Sequence, residues 1–231
     1  MNLVIVAALE NELADLIHAF DARAVASAGK RPMFLGRWEG RRVGLVPLGV
    51  GVVSAAMTLG ALLHLLEGSE VIMVGTAGAM PGSGLQKGDL AVATRESLAE
   101  MGVSIGPGIG DAALLGMAEP RQTLSLDPEL TGRIHAAAET VAATSSGPFV
   151  TVAGSSGTPE LAAFRAGRFS ALAENMEGYA LAAAAALGGF RAAQVRGICN
   201  MAGDRDRSGW TFESARKRAQ SAVLEYLRHA R

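Results

Sequence analysis

Short apolar runs rich in valine and isoleucine alternate along this chain with longer stretches of helical periodicity, the pattern of an α/β fold with a largely buried sheet. Leu3 to Ala8 reads as a first strand, followed by a helix through Phe20 with Leu13, Leu16 and Ile17 on one face. Met33 to Trp38 and Arg42 to Pro47 flank Glu39-Gly40 as the arms of a hairpin. A helix rich in alanine and leucine spans Val53 to Leu66 and ends at Gly68. Glu70 to Gly75 and Asp89 to Thr94 read as further strands, joined by a glycine-rich segment from Thr76 to Gly88. Between Ser97 and Ser125 no clean periodicity emerges, and Gly102, Gly106, Gly108 and Gly110 predict a long mobile loop, with room for one helical turn. Such a loop is either a functional lid or a segment without function.

In the second half, Asp127 to Ala143 is a helix with Asp127 as N-cap and Pro128 at its first position. Phe149 to Val152 is a strand, Gly154 to Thr158 a turn, and Pro159 to Ala166 a short helix. Ala171 to Glu174 reads as a short strand entering a helix from Met176 to Leu187, closed by Gly188-Gly189. The strand Ala192 to Cys199 leads to a polar loop, Asn200 to Trp210. The last helix carries Phe212, Ala215, Ala219, Val223, Tyr226 and Leu227 on one stripe. The expected architecture is one α/β domain over residues 1–231, with a central mixed sheet flanked by helices.

Composition narrows the function. With 231 residues, 49% of them hydrophobic, the chain can bury a sizeable core. Twenty-one basic residues against 22 acidic ones leave a net charge of −1, which argues against a nucleic-acid partner. Arg216, Lys217 and Arg218 form one basic cluster, read as a solvated helix face. Cys199 is the single cysteine, so no internal disulfide forms, and no Cys/His spacing suggests zinc. No metal or organic cofactor is implied. The apolar start lacks a basic leader and meets Glu10, Glu12 and Asp15 at once, and no run of about 18 apolar residues occurs. A cytoplasmic protein without a membrane partner is expected.

Polar residues recur where strands give way to loops or helices, which is where ligands bind in α/β sheets. Glu10 and Glu12 follow the first strand, Thr76 to Gly78 the run Val71 to Val74, and Asn200 to Asp206 another strand, while Asn175 to Glu177 precede a helix. Ala8-Leu9-Glu10-Asn11-Glu12-Leu13 is similar to the AMEEE stretch of methylthioadenosine/S-adenosylhomocysteine nucleosidases, and Gly75-Thr76-Ala77-Gly78 resembles their GSAG. Asn175-Met176-Glu177 resembles their EME, and Arg196-Gly197-Ile198-Cys199-Asn200 sits where they carry RAISD. Order and spacing match over nearly the whole chain, so the sequence resembles the purine nucleoside phosphorylase/nucleosidase superfamily.

Two departures refine the resemblance. Asn200 stands where nucleosidases of 6-aminopurines carry aspartate, and its amide offers N–H donors to a purine O6 and N7. Asn175 replaces the first glutamate of EME. Together with Glu174-Asn175-Met176-Glu177-Gly178 and Gly203-Asp204-Arg205-Asp206-Arg207 followed by Trp210, they resemble the futalosine hydrolase family. That family removes hypoxanthine from a nucleoside with a carboxyphenyl ketone chain on its ribose 5′ side, on the way to menaquinone. The match around Gly102 to Gly110 is poor.

The resemblance implies roles. Cleavage of an N-ribosyl bond passes through an oxocarbenium-like state, so positive charge must be stabilised on the sugar while the base leaves and water arrives. Glu12 is the expected general base, although any helix N-terminus favours such a carboxylate. Glu177 is expected to accept from the ribose 2′- and 3′-hydroxyls, beside Met176 on the sugar. Asn200 is expected to hold the base, against the alternative of a turn asparagine. Thr76, Ala77 and Gly78 either cradle the nucleophile or ribose or form a turn without a ligand. Arg196 either orients Glu12 and its water or pairs with a structural carboxylate. The segment Asp204 to Arg207 either contacts a substrate carboxylate or satisfies itself at the surface, and Trp210 either stacks on substrate or anchors the last helix. His18, His64, His135 and His229 share no spacing and receive no role.

Phosphorolysis, methylthioadenosine/S-adenosylhomocysteine hydrolysis and a non-catalytic nucleoside-binding module are the rival readings. Phosphorylases of the superfamily hold phosphate with a glycine-rich N-terminal turn and an arginine, whereas Ala7-Ala8-Leu9-Glu10-Asn11-Glu12 presents carboxylates. Asn200 opposes adenine as the leaving base, and Glu12 opposes a passive binder. Neither Gly49-Val50-Gly51 nor Gly106-Pro107-Gly108 has the form of a dinucleotide fingerprint. A homo-oligomer, dimer or larger, is expected by resemblance.

Overall fold

The computed structural model describes residues 3–28, 31–106, 109–117 and 121–229. Strand β1 (Leu3–Ala7) runs through a 3-10 turn at Glu10–Glu12 into helix α1 (Ala14–Ala19), and β2 (Arg23–Ala28), β3 (Arg31–Trp38) and β4 (Arg41–Pro47) form an antiparallel meander. Helix α2 (Val52–Leu66) leads to β5 (Glu70–Ala79) and β6 (Leu90–Leu98). A small hairpin of β7 (Val103–Gly106) and β8 (Ile109–Asp111) precedes β9 (Thr123–Ser125) and α3 (Pro128–Glu139). Then come β10 (Thr144–Thr151), α4 (Pro159–Phe169), β11 (Ala173–Asn175), α5 (Gly178–Gly188), β12 (Arg191–Met201) and α6 (Phe212–His229). Local chemistry starts α3 and α4 alike: Asp127 accepts from the Leu130 N–H at 2.7 Å and Thr158 from the Leu161 N–H at 3.3 Å, each just before a proline.

The main sheet runs β11-β10-β6-β12-β5-β1-β4-β3-β2, with β9 on β6. Because β11 also pairs with β5, the strands β5, β12, β6, β10 and β11 close on themselves. Alternation along β1 divides the core. Leu3, Ile5 and Ala7 pack with Leu16, Leu130, Ile134 and Val223 of α1, α3 and α6, while Val4 and Val6 pack with Leu59, Leu62, Leu181 and Ala184 of α2 and α5. Each such leucine or isoleucine contributes roughly 1.5–3 kcal/mol on burial. Helix α6 lies so close to β12 that a Cβ on Gly197 would stand 2.0 Å from the Ala215 carbonyl oxygen, so only glycine fits.

Several sequence expectations require correction. Thr76 to Ala79 is strand rather than loop, because β12 pairs with it from Gly75↔Arg196 to Ala79↔Met201. Strand β12 likewise runs on through Asn200 to Met201, with an irregularity between Ile198 and Asn200. Strand β2, rich in alanine, carried too little pattern to be anticipated. The predicted α3 ends at Glu139 rather than Ala143. Described parts of the segment Ser97 to Ser125 form β7, β8, a 3-10 turn at Ala112–Leu115 and β9. Gln122 joins them, donating to the carbonyls of Leu98, Met101 and Gly110. Pro107 and Gly108 lie outside the described residues.

Candidate active site

At one edge of the sheet, the ends of β1, β5, β11 and β12 converge on a cleft of about 270 Å³. Glu12, Thr76, Ala77, Gly78, Asn175, Met176, Glu177, Arg196 and Asn200 all line it, so every site residue chosen from sequence reaches the same place. Thr76 to Gly78 line it as strand β5, not as a flexible turn.

Glu12 ends the 3-10 turn after β1 and is buried. Its two carboxylate oxygens accept from main-chain N–H groups, Leu9 at 3.0 Å and Thr76 at 3.2 Å, which fixes the side chain between β1 and β5. Burial pushes its carboxyl above the usual carboxylate range; Arg196 and the two N–H bonds oppose the rise, and Glu177 adds to it. The result is a basic carboxylate held in place, the form a general base takes.

Arg196 projects from β12 and is 1% exposed. Its guanidinium donates to Glu177 and Gln194, each at 3.2 Å, to the Met73 sulfur at 3.0 Å and to the Thr76 carbonyl at 3.4 Å. Gly75 makes room for this. A Cβ there would lie 2.5 Å from Arg196 Nη1 and 3.0 Å from Glu12 Oε1, so the base and the cation approach one bare Cα.

Glu177 stands just before α5, and its other oxygen accepts from the Gly51 N–H at 3.0 Å. Gly51 is the N-cap of α2, so that helix's positive end also supports the Glu177 charge. Behind it, the Asn175 carboxamide accepts from the main-chain N–H groups of Glu177 (3.0 Å) and Gly178 (2.6 Å) and donates to Glu96 (2.8 Å). Asn175 therefore uses its side chain inward, to set the turn into α5. Glu96, Thr151 and Gln194, all buried, were missed from sequence. They lie inside strands and carry no local pattern.

Asn200 occupies the strand irregularity, donating to the Met201 carbonyl at 2.9 Å. The neighbouring Cys199 thiol lies 3.2 Å from the Asn200 oxygen, and burial pushes that thiol up to about 11, so it stays a neutral donor. With one N–H on the Met201 carbonyl, the amide retains a second for a ligand. At the outer rim Arg205 stacks over Trp210 at 4.8 Å, Trp210 packs on Phe212 at 5.2 Å, and all three line the cleft. Asp204 and Asp206 cap local main-chain N–H groups rather than pairing with these arginines. The basic cluster at Arg216 to Arg218 is engaged with Asn11, Glu213 and Gly88.

Among the described residues no group of three His, Cys, Asp or Glu side chains could hold a metal ion, and no helix is long and apolar enough to cross a membrane.

The model of the phosphorylase superfamily matches residues 2–228. Futalosine hydrolase of Thermus thermophilus is 34% identical over 82% of this chain and 84% of its own. Futalosine hydrolase of Acidothermus cellulolyticus is 34% identical over 67% of this chain and 62% of its own. In structure, the chain is similar to S-adenosylhomocysteine nucleosidase from Streptococcus pyogenes, solved with 5-methylthiotubericidin, at a TM-score of 0.86 and 25% identity, covering 100% of this chain and 98% of that one.

Proposed function

The chain belongs to the phosphorylase superfamily, and from that premise we propose that it hydrolyses the N-ribosyl bond of a 6-oxopurine nucleoside, futalosine above others, releasing hypoxanthine and dehypoxanthine futalosine in menaquinone biosynthesis. The observation that carries this reading is Asn200, whose amide spends one N–H on the Met201 carbonyl and has the other to offer at the cleft. A donor at this position complements O6 and N7 of hypoxanthine, whereas the 6-amino group of adenine asks for an acceptor. The futalosine hydrolase relatives support the same choice.

In the proposed reaction Glu177 accepts from the 2′- and 3′-hydroxyls and, with Met176 beside the sugar, orients the ribose. Its negative charge also favours the cationic sugar of the transition state. Glu12 takes a proton from water as the water attacks C1′, and the bonding pair of the C1′–N bond leaves with the base. Asn200 stabilises the charge that develops on N7 and O6. Arg196 pairs with the Glu177 carboxylate and limits the rise of the Glu12 carboxyl. Arg205, without an ion-pair partner among the described residues, is placed at the rim to receive a carboxylate on the 5′ side. Water rather than phosphate is the nucleophile because Glu12 would repel an anion.

The proposal includes a homo-oligomer. Val50 lines the cleft, and Val50, Val53 and Met57 are 52%, 69% and 73% exposed, an apolar surface suited to a second copy of the chain. Sedimentation at micromolar concentration would reveal a dimer or larger species, and a monomer would contradict this part.

Assay of the purified protein on futalosine, inosine, methylthioadenosine and S-adenosylhomocysteine, with and without phosphate, tests the whole reading. Rapid phosphate-independent release of hypoxanthine from futalosine is expected. Efficient adenine release, or a steep rise with phosphate, would refute it.

A further inference from the structure

Behind the cleft wall, Glu96 of β6 is fully buried, with no arginine or lysine among the described residues in hydrogen-bond contact. Oxygen Oε1 accepts from two carboxamides, Asn175 at 2.8 Å and Gln194 at 2.6 Å, and Oε2 accepts from the Thr151 hydroxyl at 2.8 Å. Two routes lead from this carboxyl to Glu177. Through Asn175 it reaches the main-chain N–H groups of Glu177 and Gly178; through Gln194 it reaches Arg196, which pairs with the Glu177 carboxylate. Thr151 adds a third tie, accepting from the Tyr179 N–H at 2.8 Å in the first turn of α5.

We infer that Glu96 is a positioning residue for Glu177, clamping both its main chain and its guanidinium partner so that the carboxylate presents a fixed face to the ribose diol. The inference rests on the proposed role of Glu177. Space around the clamp is fully used. A Cβ on Gly178 would fall 1.9 Å from Glu96 Oε1 and 2.7 Å from Gln194 Oε1, so the start of α5 is pressed onto the carboxyl itself. Each carboxamide has a defined orientation because Oε1 can only accept from it. That makes the Asn175 oxygen point at the helix start and the Gln194 oxygen at Arg196. Without the acceptor, either amide could turn over and set a donor against a donor.

The function of the clamp needs an acceptor at Oε1, not a charge. Burial raises the Glu96 carboxyl to about 7, and neutral or ionised it still accepts from both amides. A glutamine would do the same, its amide donating to the Thr151 oxygen while the Thr151 hydroxyl turns to the Asn175 oxygen 3.4 Å away.

The test compares kcat and KM for futalosine and its 2′-deoxy analogue in the wild type, Glu96→Gln, Glu96→Leu and Glu177→Gln. Glu96→Leu should raise KM for the ribonucleoside about tenfold, change kcat less, and raise the 2′-deoxy KM by a clearly smaller factor, about threefold, because that analogue keeps only the 3′-hydroxyl contact to Glu177. Glu96→Gln should stay within about threefold of the wild type. Should Glu96→Leu fail to fold, Gln194→Met severs one route alone and should show the same split at about threefold. Equal changes for both substrates, no change for either, or failure of Glu96→Gln to rescue would overturn the inference. If Glu177→Gln itself still discriminates ribose from 2′-deoxyribose as the wild type does, the role of Glu177 has failed instead.

Discussion

Arg196 and Glu177 form an ion pair 3.2 Å long whose side chains are 1% and 5% exposed. The same guanidinium opposes the rise of the Glu12 carboxyl on the other side of Gly75. One cation thus serves two acids for which different tasks are proposed, and removing it should disturb both. Taking one partner from a buried pair costs about 3–5 kcal/mol, since the other is left charged and unpaired. Arg196→Met is expected to lose stability on that scale in urea denaturation. It should also move the acid limb of kcat/KM to higher pH, because Glu12 loses the charge that lowers it. Wild-type stability with an unmoved acid limb would show that Arg196 supports neither carboxylate.

Glu12 gives the second prediction. Its raised carboxyl must be deprotonated to accept a proton from water, so activity should fall with decreasing pH through a value above the ordinary glutamate range. Replacing it by glutamine keeps the size and removes the base. A loss of roughly 10²–10⁴-fold in kcat is expected, with KM little changed. Near-normal single-turnover cleavage by Glu12→Gln would transfer the base role elsewhere.

These residues were legible in the sequence for a physical reason. Glu12, Thr76, Glu177 and Asn200 stand at or near strand ends, where a polar side chain interrupts an apolar run and has no packing role of its own. The layer behind them was not legible. Glu96 meets Thr151, Asn175 and Gln194 across sequence separations of 55, 79 and 98 residues, and each looks locally like an ordinary polar residue in a strand. The fold shows the same division. Alanine and leucine content places α2 within a residue of its start, and the apolar stripe from Phe212 to Leu227 falls within α6, whereas the segment of β7, β8 and β9 is gathered in part by the side chain of Gln122, which no periodicity announces. Thr76 to Ala79 reads as loop in the sequence because Gly78, close after Gly75, suits a turn equally well. Pairing with β12, a partner more than 100 residues away, decides the matter.

Asn200 gives the third prediction, on the choice of base. In Asn200→Asp the N–H proposed to meet O6 and N7 becomes an acceptor, and an ionised carboxylate would face the carbonyl of hypoxanthine. A site that loses a required donor rejects its substrate strongly. The expected result is a fall of roughly 10²-fold or more in kcat/KM for futalosine, with a gain in the ratio of adenine to hypoxanthine release. Competition between methylthioadenosine and futalosine in one reaction would measure the ratio directly. An unchanged ratio would mean that the base is read by other groups.

Glu96 gives a prediction about stability rather than turnover. Its carboxyl stands at about 7 in the folded chain against 4.5 as the reference value, because burial disfavours the ionised form more than the bonds from Thr151, Gln194 and Asn175 favour it. The folded state therefore holds this proton more tightly than the unfolded one. Stability from that preference is complete below about pH 4.5, declines as pH rises, and is gone above about pH 7. The shift corresponds to something on the order of 3 kcal/mol. Glutamine cannot ionise, so Glu96→Gln escapes the decline while every other titrating group is shared with the wild type. The difference in Tm between variant and wild type should climb in the variant's favour from pH 5 to pH 7.5 and then level off. A difference that stays flat over that range would mean that Glu96 titrates in the fold as an ordinary carboxylate does.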